Sequence, residues 1–103
     1  MIKGYIETRQ VYIDDIELLP YESQAIYNHS PDGFAWGYGG SGPAQLALAI
    51  LLKFCSEDEA KQFYQAFKWV IIATLPKSDF QLSIAKVEFW IAEYKKALTQ
   101  QNG

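Results

Sequence analysis

The residues best suited to chemistry lie in one stretch, Phe34 to Leu52, FAWGYGGSGPAQLALAILL. Gly37, Gly39 and Gly42 spell G-x-G-x-x-G directly before an apolar run. In a dinucleotide-binding unit such glycines let the backbone approach a pyrophosphate, and helix N-terminal amides hold it. That fold needs a second parallel strand after the helix, ending in an acid about 20 residues on. Here the apolar run leads instead to Ser56 and a second helical pattern, and the nearest acids, Glu57 to Glu59, open that helix. No Lys-Ser/Thr follows the loop, which excludes a Walker motif. Pro43 removes one amide that a phosphate would use. The loop therefore reads first as a tight turn into a buried helix. The alternative is a small anion or nucleotide-phosphate site. It would use the Gly39, Gly40, Ser41 and Gly42 backbone with His29 and Gln45, in a pocket rimmed by Trp36 and Tyr38.

Other chemistries find little support. Gly39-Gly40-Ser41-Gly42-Pro43 fails the G-x-S-x-G nucleophile pattern at its last position. A Ser41, His29, Asp32 set can be written, but helix cap and turn roles explain all three. One His and one Cys cannot build a usual zinc site. Asp14, Asp15 and Glu17 read as a solvated hairpin tip rather than a cation site. No acid sits among apolar residues that would raise its pKa for acid catalysis. The expectation is no catalytic set, no metal and no cofactor. Cys55 ends an apolar run and reads as a buried free thiol.

The 103 residues amount to one domain, residues 1–103, and half of them are apolar. Aromatic residues make up 16%, more than a small core needs, so some rings are expected at a partner surface. The net charge is −3, and all of it falls in residues 1–55, where three bases face six acids. A single Arg and no basic stripe argue against direct nucleic-acid binding. No apolar run approaches membrane length, and MIKGYIETRQ lacks the pattern of a signal peptide. A cytoplasmic protein without membrane attachment is expected.

The elements that must position these residues follow from pattern. Residues 2–19 read as short strands, with Asp14-Asp15 as a two-residue hairpin turn. Glu22 to Tyr27 reads as extended, and Ser30-Pro31-Asp32-Gly33 as a type I turn. Phe34, Trp36 and Tyr38 have strand spacing, with all three rings on one face. Helices are expected over 43–55, 57–75 and 83–99. Ser56 and Glu59 form a capping box for the second. Its inner face is Ala60, Phe63, Tyr64, Phe67, Val70 and Ile71, with Lys68 outside. Ser83 caps the third, whose apolar stripe is Ile84, Val87, Ile91, Tyr94 and Leu98. Phe89 and Trp90 fall beside or off that stripe, and Asp79 to Leu82 is either a strand or a link. The fold class is α+β: a small N-terminal antiparallel sheet packed against three helices.

Residues 27–52, YNHSPDGFAWGYGGSGPAQLALAILL, resemble the signature of a small family of uncharacterised proteins of bacteria, archaea and their phages and plasmids. Its pattern is an Asn-His-Ser-Pro-x-Gly-Phe turn followed by Trp-Gly-Tyr-Gly-Gly-Ser-Gly-Pro-Ala-Gln-Leu-Ala-Leu-Ala. Asn28, His29, Trp36, Tyr38, Ser41 and Gln45 match it, and residues 2–20 and 80–98 are similar more loosely. The resemblance brings no catalytic residues. It implies a small mobile-element protein that acts by binding. The expected function is a non-enzymatic protein-interaction module that inhibits a host defence complex. Its contacts would come from Trp36, Tyr38, Asp14, Asp15 and Glu17, with a protein partner and with homodimerisation open.

Overall fold

The computed structural model describes residues 1–101. Strands β1 (Ile2–Tyr5), β2 (Gln10–Ile13) and β3 (Ile16–Leu18) are followed by α1 (Tyr21–Ile26), α2 (Ser41–Phe54) and α3 (Glu57–Phe67). A π turn (Lys68–Ile72), β4 (Phe80–Leu82) and α4 (Ile84–Gln101) complete the chain. The fold is α+β, with a four-stranded antiparallel sheet in the order β3-β2-β1-β4. Residues 80–82 are thus a strand, and the sheet takes one edge from the C-terminal half of the chain.

Alternation sorts the sheet into two faces. Ile2, Val11, Leu18, Phe80 and Leu82 face the helices and are buried. Gly4 lies opposite both Val11 and Phe80, and a Cβ there would overlap the Phe80 ring, so the core approaches the backbone directly. Asp14 and Asp15 both have positive φ, 48° and 68°, as a primed two-residue hairpin turn requires. Deep burial of α2 follows from its apolar surround: every residue from Gly42 to Leu51 is buried.

Three expected elements differ. The stretch 22–27 is mostly helical, because Pro20 enters in the right-handed region and its carbonyl accepts from the Gln24 amide and the Ser23 hydroxyl. Residues 34–38 form no strand. The Gly37 amide donates to the Ile72 carbonyl and the Trp36 indole to that of Ser78, single bonds rather than a ladder. Gly37 then turns at φ 84°, so Phe34 and Trp36 point inward while Tyr38 points out. The helix expected over 57–75 stays α-helical only to Phe67, then widens into the π turn. A wide turn advances each residue less around the axis. The buried pair becomes Ile71 and Ile72, Val70 moves out, and Lys68 moves in.

The local signals at the helix starts are realised. Ser56 and Glu59 exchange both capping-box hydrogen bonds. The Ser83 hydroxyl accepts from the Lys86 amide. On α4, Val87 and Ile91 are buried. Trp90 packs edge-on against Phe67 and stacks with Tyr94, while Phe89 points to solvent.

Candidate functional site

The C-terminal end of α3 lies beside the N-terminal end of α2, since the two helices form a hairpin joined at Cys55-Ser56. His29 marks the level at which they meet. Its amide donates to Gln45 Oε1 at 2.8 Å, and its ring Nε2 shares a 2.8 Å hydrogen bond with the Tyr64 hydroxyl. Gln45 is 0% exposed. Its Oε1 also accepts from the Ser30 amide, and its Nε2 donates to Ser23 Oγ and the Tyr27 carbonyl. Four partners saturate the carboxamide. Gln45 is therefore a clip that fixes residues 23–30, and it has no capacity left for a ligand. The expectation that Gln45 serves an anion site is corrected on that ground. His29 turns to Tyr64, away from any triad, and no hydrogen bond joins Ser41, His29 and Asp32 among the described residues.

Ser41 lies four residues before Gln45, at the start of α2, and Lys68 four residues after Tyr64, at the start of the π turn. The edge of the Trp69 indole occupies the space a Cβ at Gly39 would need, and the Tyr38 ring does the same over Gly40. A Cβ at Gly42 would press on Ala35. Trp69 is 58% exposed, Tyr38 48%, and their neighbour Val70 is exposed too. These rings form a solvent-facing apolar patch folded onto bare backbone. Trp36, expected at a contact surface, is 2% exposed and sits edge-on against Phe80, so it belongs to the core. The reason is Gly37, which breaks the alternation between Trp36 and Tyr38.

The electrostatics of this corner are one-sided. The Lys68 residue is only 8% exposed, and its ammonium lies 4.3 Å from the centre of the Trp69 ring. Among the described residues it has no carboxylate or hydrogen-bond acceptor. Among the described residues no wholly buried side-chain nitrogen or oxygen lacks a partner, so the tip of Lys68 reaches the surface. Lys77 lies beside Gly37. Residues 33–56 and 60–78 contain no acid at all. The first turn of α2 has neither an acid nor a side-chain cap, whereas the first turn of α3 has three acids and a capping box. Among the described residues no backbone acceptor takes the Ser41 or Gly42 amide, and Pro43 has none to offer.

The acidic hairpin lies elsewhere. The N-terminal ammonium holds Asp14 at 2.7 Å. Glu17 accepts from the Gln10 amide side chain, and Asp15 occupies the second position of the turn. Asp15 borders an open groove of about 870 Å³ on the outer sheet face, with Lys3, Tyr5, Tyr12 and Asp79.

Residues 3–93 match the model of a family of unknown function, DUF6166. The chain belongs to that family. No curated protein and no solved structure matches it. The DUF6166 match takes in the sheet, the glycine loop, the π turn and most of α4. Within this DUF6166 chain, Lys68, Trp69 and Val70 are the site residues that sequence patterning missed. The burial of Lys68 and Val70 is inverted relative to helical periodicity, and the π turn accounts for that.

Two further features bear on chemistry. Burial, then the nearby Glu59 carboxylate, pushes the Cys55 thiol above its ordinary pKa, with Lys95 opposing. The thiol thus stays protonated, donating to the Leu51 carbonyl. No described helix is long and apolar enough to cross a membrane.

Proposed function

We propose that this chain is a non-enzymatic protein-interaction module whose contact face is the glycine loop with Tyr38, Trp69 and Val70. One observation carries the reading: a tryptophan more than half exposed, lying on glycine backbone beside an exposed tyrosine. Tryptophan and tyrosine contribute disproportionately to binding energy at interfaces. A patch of this kind on a small domain marks a place for a partner. Of the contacts expected from sequence, Tyr38 remains in this face and Trp36 leaves it. Asp14, Asp15 and Glu17 sit at the β2–β3 turn and in β3, where Asp15 meets Tyr5 and Tyr12 across the groove as a secondary surface. A partner in a host defence complex, and a mobile-element origin, draw support from the family resemblance alone.

The test is affinity capture with tagged protein and three variants. Trp69→Ala and Tyr38→Ala should lose a stoichiometric protein partner that wild type and Phe89→Ala retain. Phe89 is exposed on α4, outside both surfaces, and serves as the control. Capture indifferent to Trp69→Ala and Tyr38→Ala would overturn the assignment of the face. Sedimentation of the purified chain distinguishes a second copy as the occupant.

A further inference from the structure

We infer that the outer edge of β3 is a docking site for an extended segment of a partner protein, one that carries a basic residue between two apolar ones. The site shares no residue with the glycine-loop face and goes beyond that reading.

The inner face of the sheet outruns the helices that cover it. Register aligns Leu82, Ile2, Ile13 and Ile16 in one row across the four strands. Leu82 and Ile2 are buried, Ile13 is half-buried, and Ile16 is 74% exposed. At Ile16 the row ends on a groove of about 320 Å³. Ile13, Ile16, Leu18, Phe54 and Ile84 give that groove an apolar lining. Apolar surface of this kind at a sheet edge is normally covered.

The backbone fixes what fits there. A two-residue turn makes Ile13 and Ile16 the hydrogen-bonded pair, so Glu17, opposite Tyr12, turns its N–H and C=O away from β2. The sheet order leaves that side of β3 without a strand, and among the described residues no loop backbone takes either group. An extended chain satisfies both groups at once, and its side chains then alternate between the two faces. Its residue opposite Glu17 lies beside that carboxylate on the outer face. The residues before and after it lie on the inner face, beside Ile16 and Leu18 on the groove side.

Charge selects the occupant. From Gln10 to Leu52 the chain has five acids and no Lys or Arg. Around the groove, the N-terminal ammonium holds Asp14 and Glu22 holds Lys53. Glu17 accepts from the neutral Gln10 carboxamide, and among the described residues no base pairs with it. A basic residue opposite Glu17 completes a cross-strand ion pair. A second copy does not, because β3 paired with itself about Glu17 sets two carboxylates opposite each other. A charged edge residue ordinarily keeps other strands off. Here one sign of charge beside an apolar groove bars acidic strands and admits a basic one.

The experiment is a titration of the full chain with the end-capped peptide Thr-Val-Lys-Val-Lys-Val-Thr, followed by ¹H–¹⁵N correlation and amide hydrogen exchange. Saturable shifts over residues 15–19 are expected, with slowed exchange at the Glu17 amide. A peptide with glutamate in place of both lysines should bind about fivefold more weakly or worse, as one cross-strand charge pair turned repulsive implies. A peptide with serine in place of every valine should lose about tenfold or more, since the groove then receives no apolar side chain. Glu17→Lys, at an exposed position, should reverse the preference between the lysine and glutamate peptides. No saturable shift over residues 15–19 overturns the site, and so does a preference unchanged in Glu17→Lys. If that variant does not fold, discrimination between the two peptides by wild type decides alone. Shifts centred on Gly39 to Gly42 would assign the peptide to the glycine-loop face and overturn the β3 site. Protection of the Glu17 amide that grows with protein concentration, without peptide, would assign the edge to a second copy and overturn it as well. Partner capture lost in Trp69→Ala bears on the glycine-loop face alone, so the two readings fail separately.

Discussion

Gln45 binds His29 through its backbone and leaves its ring alone. The carboxamide oxygen takes the His29 amide at 2.8 Å, while the imidazole turns to Tyr64 at the same distance. Two residues that look like site chemistry are thereby committed to holding a loop, and the stretch they anchor leads into the glycine loop.

Replacing Gln45 with Leu conserves volume and removes all four hydrogen bonds. The His29 and Ser30 amides, Ser23 Oγ and the Tyr27 carbonyl each lose a partner. The expected loss is about 2–4 kcal/mol, typical of several partly buried polar groups left unpaired. Urea unfolding measures it. A loss below about 1 kcal/mol would mean that residues 23–30 have another anchor.

Asp15→Gly should stabilise the protein. Asp15 sits at φ 68°, where a Cβ is unfavourable, and Asp-Gly is a preferred sequence for this turn. The Asp14 bond to the N-terminal ammonium is untouched. A net gain of about 0.5–1 kcal/mol is expected after the extra freedom of glycine in the unfolded chain is subtracted. A fall in Tm for this variant would contradict the turn geometry.

Gly39→Ala should separate folding from binding. The new methyl group needs the space held by the Trp69 indole, and that side chain, more than half exposed, can swing away. Stability should change by less than about 1 kcal/mol, while the patch loses its tryptophan. Loss of indole-to-loop NOEs with an otherwise native spectrum is the expected signature. Partner capture should then fail as it does for Trp69→Ala.

Acid sensitivity should involve Glu59. The Lys95 ammonium, followed by the Ser56 amide, holds this carboxyl below the usual carboxylate range. A folded value below the unfolded one adds stability above the unfolded pKa, and that stability is lost as pH falls through the folded value. Glu59→Gln keeps a group able to reach back to the Ser56 amide and removes the titration. Its Tm should fall less than that of wild type between about pH 5 and 3, by a modest margin because the pair is open to solvent. Parallel Tm–pH curves would exclude Glu59 as a contributor.

What could be read from the sequence depended on how local each signal was. The Ser56–Glu59 box, the Asp14-Asp15 turn and the α4 stripe each need only a few neighbouring residues to act, and each is where patterning put it. The α1 turn, the inward Trp36 and the outward Val70 depend on distant partners. Gln45 pins residues 23–30, the Ser78 carbonyl draws in the Trp36 indole, and Gly37 bonds to Ile72. Half of the candidate face was legible, because Tyr38 and Gly39 to Gly42 announce themselves as a loop. Lys68 and Trp69 were hidden, because helical periodicity assigns Lys68 outward and says nothing of an indole lying on a glycine.

The π turn also sets a rule for chain length. Deleting one residue between Lys68 and Ile72 would let the segment rewind as ordinary α-helix, repairing its hydrogen bonding at the expense of its phase. Everything downstream would rotate: Trp69 off Gly39, Ile72 off the Gly37 amide, and β4 out of step with β1. The hairpin turns of the sheet can change length at their tips without disturbing the core. Among relatives of this chain, gaps should therefore collect in residues 7–9, while the spacing from Tyr64 to Phe80 stays constant to the residue.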